Sequence, residues 1–406
     1  MIHNFKKYNE AQEDTVGKLP LEAEGLYDMM PDSIKEISKV FSESGKSLYL
    51  VGGAIRDYIK GQEPKDYDVA TDAMPDEVLD ILKGYKTQLQ GEAFGIVVVY
   101  TDDQPEGMEI ATFRQDISKG RNPKVKLGVT IEEDVERRDL TYNAMFYHIE
   151  KKEIYDLVGG MKDLEDGITR MVGDPFERIE EDSLRILRAF RFASRYNHIL
   201  DERSIEAFEK RNNLENIDPD TGELKRISSE RIYEEMQKAW KQSPDYNYYL
   251  QFFNEFNMWS EVFPGANINE NLIETDSFRV CLANLFRNEN PNGLANKLIS
   301  KYKIDGGTAD TIEFLIEFNN MTEENAIEVQ KKLKKKNLDV ENIKESDILE
   351  WIRVENLGNL HKKFLQYKPK NWSDELKKQG FKPGPEFGKE IRKRSIDDFK
   401  TFISNK

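Results

Sequence analysis

The hydrophobic pattern changes character about a third of the way along the chain. In the first 150 residues, short β-rich runs occur together with helical periodicity at Asp32–Phe41 and Asp76–Leu82. This part of the chain predicts a domain that mixes helices and strands and ends near residue 150. The β-rich runs are Ser47–Val51, Tyr67–Thr71, Gly95–Thr101, Met108–Phe113 and Leu140–Ile149.

After the turn at Asp163–Gly167 the β signal fades, and apolar residues recur with a helical period. The whole pattern predicts an α+β fold class, in which a domain with a small mixed β-sheet is followed by an all-α remainder. The amphipathic segments are Glu180–Tyr196, Glu202–Asn212, Glu230–Trp240, Thr308–Phe318 and Glu323–Lys335.

The composition narrows the class of protein. Of the 406 residues, 38% are hydrophobic and 33% are charged, which excludes an intrinsically disordered chain and a membrane-embedded one. Residues 1–16 are polar and lack the apolar stretch of a secretory signal, so we expect a cytoplasmic protein without a membrane partner. With the single cysteine Cys281 and 4 histidines, we expect oxygen ligands for any metal.

The charge is distributed unevenly. The net charge of −16 taken alone argues against a polyanionic partner. Residues 361–406, however, hold 13 Lys and Arg against 6 Asp and Glu. This basic tail could bind a phosphate backbone, and a solvated helical face is the other interpretation of the same charges.

A glycine pair marks a candidate phosphate site. The run from Leu48 to Asp57 predicts a strand, a tight turn at Gly52 and Gly53, and the start of a helix. Glycine allows the backbone to approach a ligand closely, and Arg56 adds a donor suited to phosphate. A glycine pair alone is a weak signal, because most such pairs only form turns.

Two aspartates follow the glycine turn. Asp66 and Asp68 are two residues apart, and in a strand such side chains face the same way about 6.6 Å apart. Their carboxylates can converge on one or two Mg²⁺ ions, which prefer oxygen ligands and substrate phosphates. Glu109, in a later strand, could supply a third catalytic carboxylate, and an exposed strand glutamate would show the same pattern.

A third segment, Glu136–Ala144, combines arginines with acidic and amide side chains. The guanidinium of Arg138 suits phosphate oxygens, and Asp139 could accept a hydrogen bond from a ribose hydroxyl. Asn143 completes the nucleotide-binding candidates of this segment. A surface ion pair between arginine and aspartate would look the same.

A predicted helix carries the fourth set of candidates. Asp182, Arg185, Arg188 and Arg191 are spaced by three beside an apolar side. Neighbours three apart lie one above another, so Asp182 and Arg185 are expected to form a joint polar edge. The series drifts by about 60° per step, and we therefore assign base recognition to that pair and triphosphate contact or positioning to Arg188 and Arg191.

A carboxylate beside a guanidinium has a chemical meaning for nucleobases. Cytosine and adenine each offer an exocyclic amino donor next to a ring-nitrogen acceptor, whereas uracil and guanine present the reverse order. The pair therefore fits C and A. Mispaired buried groups can give discrimination on the order of 10⁴.

Together these segments resemble the class II tRNA nucleotidyltransferases, which are the bacterial-type CCA-adding enzymes and their poly(A) polymerase relatives. The resemblance implies a nucleotidyltransferase head followed by all-α neck, body and tail. The expected domains are an N-terminal extension at 1–46, the catalytic head at 47–150, a nucleotide-selecting neck at 151–240, a helical body at 241–330 and a tRNA-binding tail at 331–406. The matching stretches are Leu50–Thr71, Glu109–Arg114, Gly120–Pro123, Glu132–Ala144, Asp156–Gly160, Asp174–Tyr196 and Ile227–Glu235.

The resemblance also implies roles for residues. Asp66 and Asp68 would bind the catalytic Mg²⁺ pair, the glycine turn with Arg56 and Arg138 would contact the nucleotide, and the series from Asp182 to Arg191 would choose CTP and then ATP. The basic loop Arg114–Val129 matches the mobile loop that the family needs for the final A. Residues 1–46 are longer than the family's usual extension and have no assigned role.

The sequence thus predicts nucleotidyl transfer to a tRNA 3′ end, with CTP and ATP as substrates and pyrophosphate as the leaving group. Three alternatives stay open. A poly(A) polymerase would use ATP alone, a split-function relative would add only CC or only A, and a catalytically silent RNA-binding module would add nothing.

Overall fold

The computed structural model describes residues 21–64, 66–90, 95–118, 123–211, 214–217, 223–335 and 343–404. The chain divides into two compact units. Unit 1 runs to Ile227 and includes Lys241–Pro244, and unit 2 consists of Ser228–Trp240 and the chain from Asp245 onward.

The strands lie in unit 1. In chain order they are β1 (Leu21–Glu22), β2 (Leu48–Val51), β3 (Asp68–Thr71), β4 (Lys86–Gln90), β5 (Ile96–Thr101), β6 (Gln104–Thr112), β7 (Arg114–Asp116), β8 (Val125–Leu127), β9 (Phe146–His148), β10 (Glu153–Tyr155), β11 (Ile168–Thr169), β12 (Ile199–Leu200), β13 (Glu215–Ile217) and β14 (Leu224–Arg226).

Helices cover unit 1 and build unit 2. Those of unit 1 are α1 (Glu24–Met29), α2 (Asp32–Glu43), α3 (Gly53–Ile59), α4 (Pro75–Ile81), α5 (Ile131–Glu136), α6 (Gly160–Asp166), α7 (Pro175–Glu181), α8 (Leu184–Tyr196) and α9 (Glu202–Lys210). The later ones are α10 (Ser229–Gln242), α11 (Tyr246–Glu255), α12 (Trp259–Val262), α13 (Phe278–Leu285), α14 (Leu294–Tyr302), α15 (Gly306–Asn319), α16 (Ala326–Lys335), α17 (Glu345–Val354), α18 (Asn359–Gln366), α19 (Trp372–Lys378) and α20 (Pro385–Ser404).

The main sheet of unit 1 has the strand order β1-β10-β9-β2-β3-β6-β5-β4. Strand β3 runs parallel to β6 and antiparallel to β2, so the sheet is mixed. One face is apolar, because alternate side chains such as Val97 and Val99 point the same way and are fully buried. Helices α2, α3 and α4 pack on the sheet, and the predicted α+β fold class is confirmed.

Two elements differ from their prediction. The run Leu140–Ile149 is not one strand: a short 3₁₀ turn at Thr141–Asn143 precedes β9. The predicted helix Glu180–Tyr196 is broken, because Asp182 has extended backbone angles (φ −153°, ψ 101°) between α7 and α8. Two-stranded pairs, β11 with β12 and β13 with β14, accompany these helices.

Unit 2 is helical in its described residues and has an aromatic core. Its fully buried large side chains include Tyr249, Phe263, Phe286 and Trp351, and Phe263 lies edge-on to Phe286 at a ring separation of 4.9 Å. Among the residues that the structure describes, no helix combines the length and the apolar character needed to cross a membrane.

Candidate active site

The strand register places two of the predicted carboxylates side by side. Asp68 begins β3 opposite Val51 of β2, and its neighbour Val69 pairs with Ile110 of the parallel strand β6. Glu109 precedes Ile110, so Asp68 and Glu109 stand level on adjacent strands and face the same way. Both residues are exposed, which leaves them open to a ligand.

The pKa of Asp68 reports its surroundings. Protein atoms strip part of the water from this carboxyl and raise its pKa, the negative charge of Asp66 raises it further, and Arg138 opposes both effects. Asp66 and Asp68 therefore act on each other electrostatically. Two adjacent carboxylates beside an arginine form a donor set that suits a hard divalent cation and a phosphate.

Glu109 stands beside Asp68 as the candidate third carboxylate. Within the described residues, no three His, Cys, Asp or Glu side chains come together as a metal-binding group. The catalytic role of Glu109 therefore stays a prediction, and so does metal binding by Asp66 and Asp68.

The glycine turn has the predicted form. Gly52 has φ 69°, a left-handed angle that favours glycine, and Gly53 begins α3 directly after it. Arg56 of α3 is only 5% exposed. Its guanidinium donates to the side-chain oxygen of Asn143 and lies over the ring of Phe192 at 5.1 Å, so the structure holds Arg56 among protein partners.

Four of the predicted nucleotide-binding residues form one hydrogen-bonded chain. Arg56 donates to Asn143, the amide of Asn143 donates to Asp139 at 3.1 Å, and Nε of Arg188 donates to Asp139 at 2.8 Å. Burial acts to raise the pKa of Asp139, but Arg188 outweighs it and holds that pKa well below its ordinary value. The carboxylate links the 3₁₀ turn to α8 instead of standing free for a ribose.

Arg138 is fixed by a residue that sequence analysis missed. Its guanidinium donates twice to Asp134, at 3.1 and 2.9 Å, and lies over the ring of Phe146 at 4.5 Å. Asp134 is 1% exposed and also accepts from Arg137 and from the backbone of Arg114. Its spacing of four from Arg138 within an acidic helix was the available signal.

The break at Asp182 corrects the predicted helix edge. Asp182 and Arg185 do not lie one above another on a single helix, because α8 begins at Leu184. One carboxyl oxygen of Asp182 accepts from the N–H of Leu184 at 3.2 Å and from the amide of Asn216 at 2.9 Å. The carboxylate therefore caps the entry to α8, and Asn216 is a second residue that sequence analysis missed.

The three candidate arginines of α8 have different surroundings. Arg185 donates to Glu181 at 2.8 Å and to the carbonyl of Arg137 at 3.0 Å. Arg188 holds Asp139, as described above. Arg191 is 4% exposed and donates to Gln242 at 2.7 Å. Arg191 is thus held by protein partners, and its role in triphosphate contact or positioning stays a prediction.

The predicted mobile loop is described only at its two ends. Strands β7 and β8 pair in antiparallel register, with Arg114 opposite Leu127. The basic residues Lys119 and Arg121 lie outside the described residues.

Part of the sequence is similar to known nucleotidyltransferases. Residues 48–170 match the family described as the Poly A polymerase head domain. Poly(A) polymerase I of Salmonella typhimurium is 32% identical over 250 residues, which cover 58% of this chain and 50% of that protein. The CCA-adding enzyme of Bacillus pumilus is 41% identical over 202 residues, 49% of this chain and 47% of that enzyme. The chain thus aligns with about half the length of such relatives.

Solved structures share the fold across nearly the whole chain. A CCA-adding enzyme in its apo form II has a TM-score of 0.65 at 19% identity and covers 95% of this chain and 98% of that one. The Bacillus stearothermophilus CCA-adding enzyme in complex with CTP has a TM-score of 0.61 at 21% identity, with 92% of each chain covered. Residues 48–170 of this chain are therefore a head domain of the Poly A polymerase type, and the curated relatives that align with about half their length are bacterial poly(A) polymerases and CCA-adding enzymes.

Proposed function

We propose that this chain is a tRNA nucleotidyltransferase that adds C, C and A to the tRNA 3′ end from CTP and ATP without a nucleic-acid template. The observation that carries the proposal is the placement of two aspartates at one strand end: Asp66 lies just before β3, Asp68 is its first residue, and Arg138 is within electrostatic reach of Asp68. CCA-adding relatives at up to 41% identity among those compared support the choice of substrate. The cytoplasmic location stays a prediction.

Asp66 and Asp68 would hold the divalent cation, and Mg²⁺ is the ion whose preference for carboxylate and phosphate oxygens fits them best. When bound, the ion supplies Lewis acidity, which favours ionisation of the 3′-hydroxyl and neutralises charge on the triphosphate. Glu109 stands level with Asp68 and could accept a hydrogen bond from a water or a hydroxyl at the same edge.

The chain's own residues would hold the nucleotide. Gly52 and Gly53 bring the backbone to the strand end, and Arg138, held by Asp134, directs positive charge toward Asp68. The series of hydrogen bonds from Arg56 through Asn143 and Asp139 to Arg188 fixes the relative positions of head and neck elements. Such fixed positioning is worth more for phosphoryl chemistry than a protein base.

Selection of the base belongs in this proposal to Asp182 and Arg185. Asp182→Asn keeps an oxygen for the Leu184 N–H but replaces the other acceptor with a donor, so the preference for C and A should weaken. We expect incorporation of U or G to rise by at least tenfold relative to wild type, measured with each nucleotide offered separately. Unchanged selectivity would remove Asp182 from base recognition.

The proposed function is tested on defined RNA ends. Purified protein is given tRNA that lacks CCA, or that already ends in CC, with each labelled nucleotide alone and in mixture, and the product ends are sequenced. We expect CCA on the first RNA, a single A on the second, and no further growth. Unchanged ends would overturn the proposal.

Poly(A) polymerase is the second candidate, favoured by relatives such as the Salmonella typhimurium enzyme at 32% identity. The same assay separates the two, because a poly(A) polymerase would extend either RNA with a run of A from ATP alone. Addition that halts after CC, or that occurs only on CC ends, would indicate a split-function relative.

The partner surface for tRNA is proposed in the basic C-terminal part of the chain. Residues 361–406 hold 13 Lys and Arg against 6 Asp and Glu, and phosphate contacts by such residues make RNA binding sensitive to salt. The five-domain division given by the resemblance is part of the same proposal.

A further inference from the structure

The segment Leu21–Met30 lies outside the motifs that carry the proposed function, yet it is anchored to the head. Strand β1 extends the sheet beside β10. The carbonyl of Ala23 accepts a hydrogen bond from the buried hydroxyl of Tyr147 at 3.1 Å. Leu26 is 0% exposed, so α1 is held against the sheet core.

Helix α1 also rests on the helix that follows the glycine turn. A Cβ atom on Gly25 would lie 2.9 Å from the hydroxyl oxygen of Tyr58, closer than such atoms normally approach. Tyr58 belongs to α3, which begins at Gly53. The glycine therefore lets the side chain of Tyr58 in α3 lie close to the backbone of α1, and a larger residue would require one of the two to shift.

The same helix contacts Tyr67, the residue between the two aspartates. The hydroxyl of Tyr67 donates to the carbonyl of Met29 at 3.0 Å, and Met29 is the last residue of α1. The final carbonyls of a helix lack intrahelical partners, so this hydroxyl satisfies one of them. Tyr67 stands between Asp66 and Asp68, and the described residues between α3 and β3 belong to no helix or strand.

We propose that Leu21–Met30 is a positioning element of the metal site, and that the hydrogen bond from Tyr67 to Met29 holds Asp66 and Asp68 where both carboxylates reach one cation. This role rests on the proposed function, in which the two aspartates bind the metal ion. Asp66 lies outside β3, so the hydrogen bonds of the sheet do not fix its backbone. The hydrogen bond from Tyr67 to Met29 would instead hold the backbone on either side of Tyr67.

The test removes one hydroxyl. Tyr67→Phe keeps the ring and loses the hydrogen bond, so Mn²⁺ affinity, measured by electron paramagnetic resonance without RNA or nucleotide, should fall about two- to tenfold. The Mg²⁺ concentration for half-maximal turnover should rise by the same factor, and turnover at saturating Mg²⁺ should stay near that of wild type. The matched control is Tyr100→Phe, which loses a hydrogen bond of 3.1 Å to Gln88 between β5 and β4 and should change neither quantity.

A second pair of variants tests the contact with α3. Gly25→Ala should weaken Mn²⁺ binding by forcing α1 away from Tyr58, and adding Tyr58→Phe, which removes the crowded oxygen, should restore part of the loss. Unaltered Mn²⁺ affinity in both Tyr67→Phe and Gly25→Ala would overturn the positioning role. The two variants could bind Mn²⁺ more weakly while the wild-type protein adds no nucleotide to tRNA. That result would support the positioning role and overturn only the proposed function.

Discussion

The ionised carboxyl of Asp68 destabilises the protein unless a cation is bound. Loss of hydration, then the charge of Asp66, raises its pKa above the ordinary value of 3.8 in spite of Arg138. When folding raises the pKa of a carboxyl, the group does not change the free energy of unfolding at a pH below its pKa in the unfolded state. At a pH above its pKa in the folded state, the group lowers the free energy of unfolding. A metal that binds the carboxylate offsets this penalty.

Asp68→Asn should therefore stabilise the metal-free protein. We expect a higher Tm than wild type in EDTA at pH 7, and a difference that shrinks as the pH falls and the wild-type carboxyl becomes protonated. Thermal unfolding followed by circular dichroism measures it, with Asp102→Asn in the β5–β6 turn as an exposed control. A variant no more stable than wild type at pH 7 would contradict this view of Asp68.

Single residues also show where prediction from sequence stops. The motif spacing identified Arg138 as a candidate, but its partner Asp134 is one of three acidic residues in the first turn of α5. Both Glu133 and Asp134 stand three or four residues before an arginine, and only packing shows that Asp134 is the buried one. Asn216, which lies 34 residues from Asp182, left no local signal at all.

Elements were predictable where a hydrophobic period ran uninterrupted. Strand β2 and helix α2 fall within two residues of their predicted bounds. The break between α7 and α8 was not predicted, because the apolar period continues across it and the cause is the side-chain bonding of Asp182 to Asn216 from β13. A continuous period cannot reveal a partner from a distant element.

Helix α6 supports the turn that carries Asn143, and the contact needs glycine. A Cβ on Gly160 would lie 2.3 Å from the carbonyl oxygen of Thr141. Gly160→Ala should therefore destabilise the protein by about 1–3 kcal/mol, the usual range for overpacking, measured by urea unfolding. Gly84→Ala is the matched control, since nothing lies within 4 Å of its Cβ position; equal stability of the two variants would show that the turn can shift freely.

For the whole molecule, the net charge of −16 and the basic C-terminal segment have opposite effects on the proposed association with RNA. The exposed lysines Lys377, Lys378 and Lys382 lie at and after the end of α19. The composition predicted this asymmetry, but only RNA binding can distinguish a phosphate contact from a solvated helical face.

Changing these three lysines to alanine should weaken tRNA binding and make it less dependent on salt. The slope of log K against log salt should become shallower by about one for each lost phosphate contact. Filter binding at several salt concentrations measures the slope, with Lys83→Ala, which removes a lysine paired to Asp80 at 3.0 Å in unit 1, as the control. An unaltered slope would place the RNA elsewhere on the chain.

The most direct measurement of the central claim compares wild type with the double variant Asp66→Ala, Asp68→Ala on tRNA that lacks its CCA end. Incorporation of labelled CTP and ATP should be lost in the variant, while its circular dichroism spectrum stays that of the folded wild type. A folded double variant that still adds nucleotides at nearly the wild-type rate would contradict the assignment of these aspartates as the metal-binding pair.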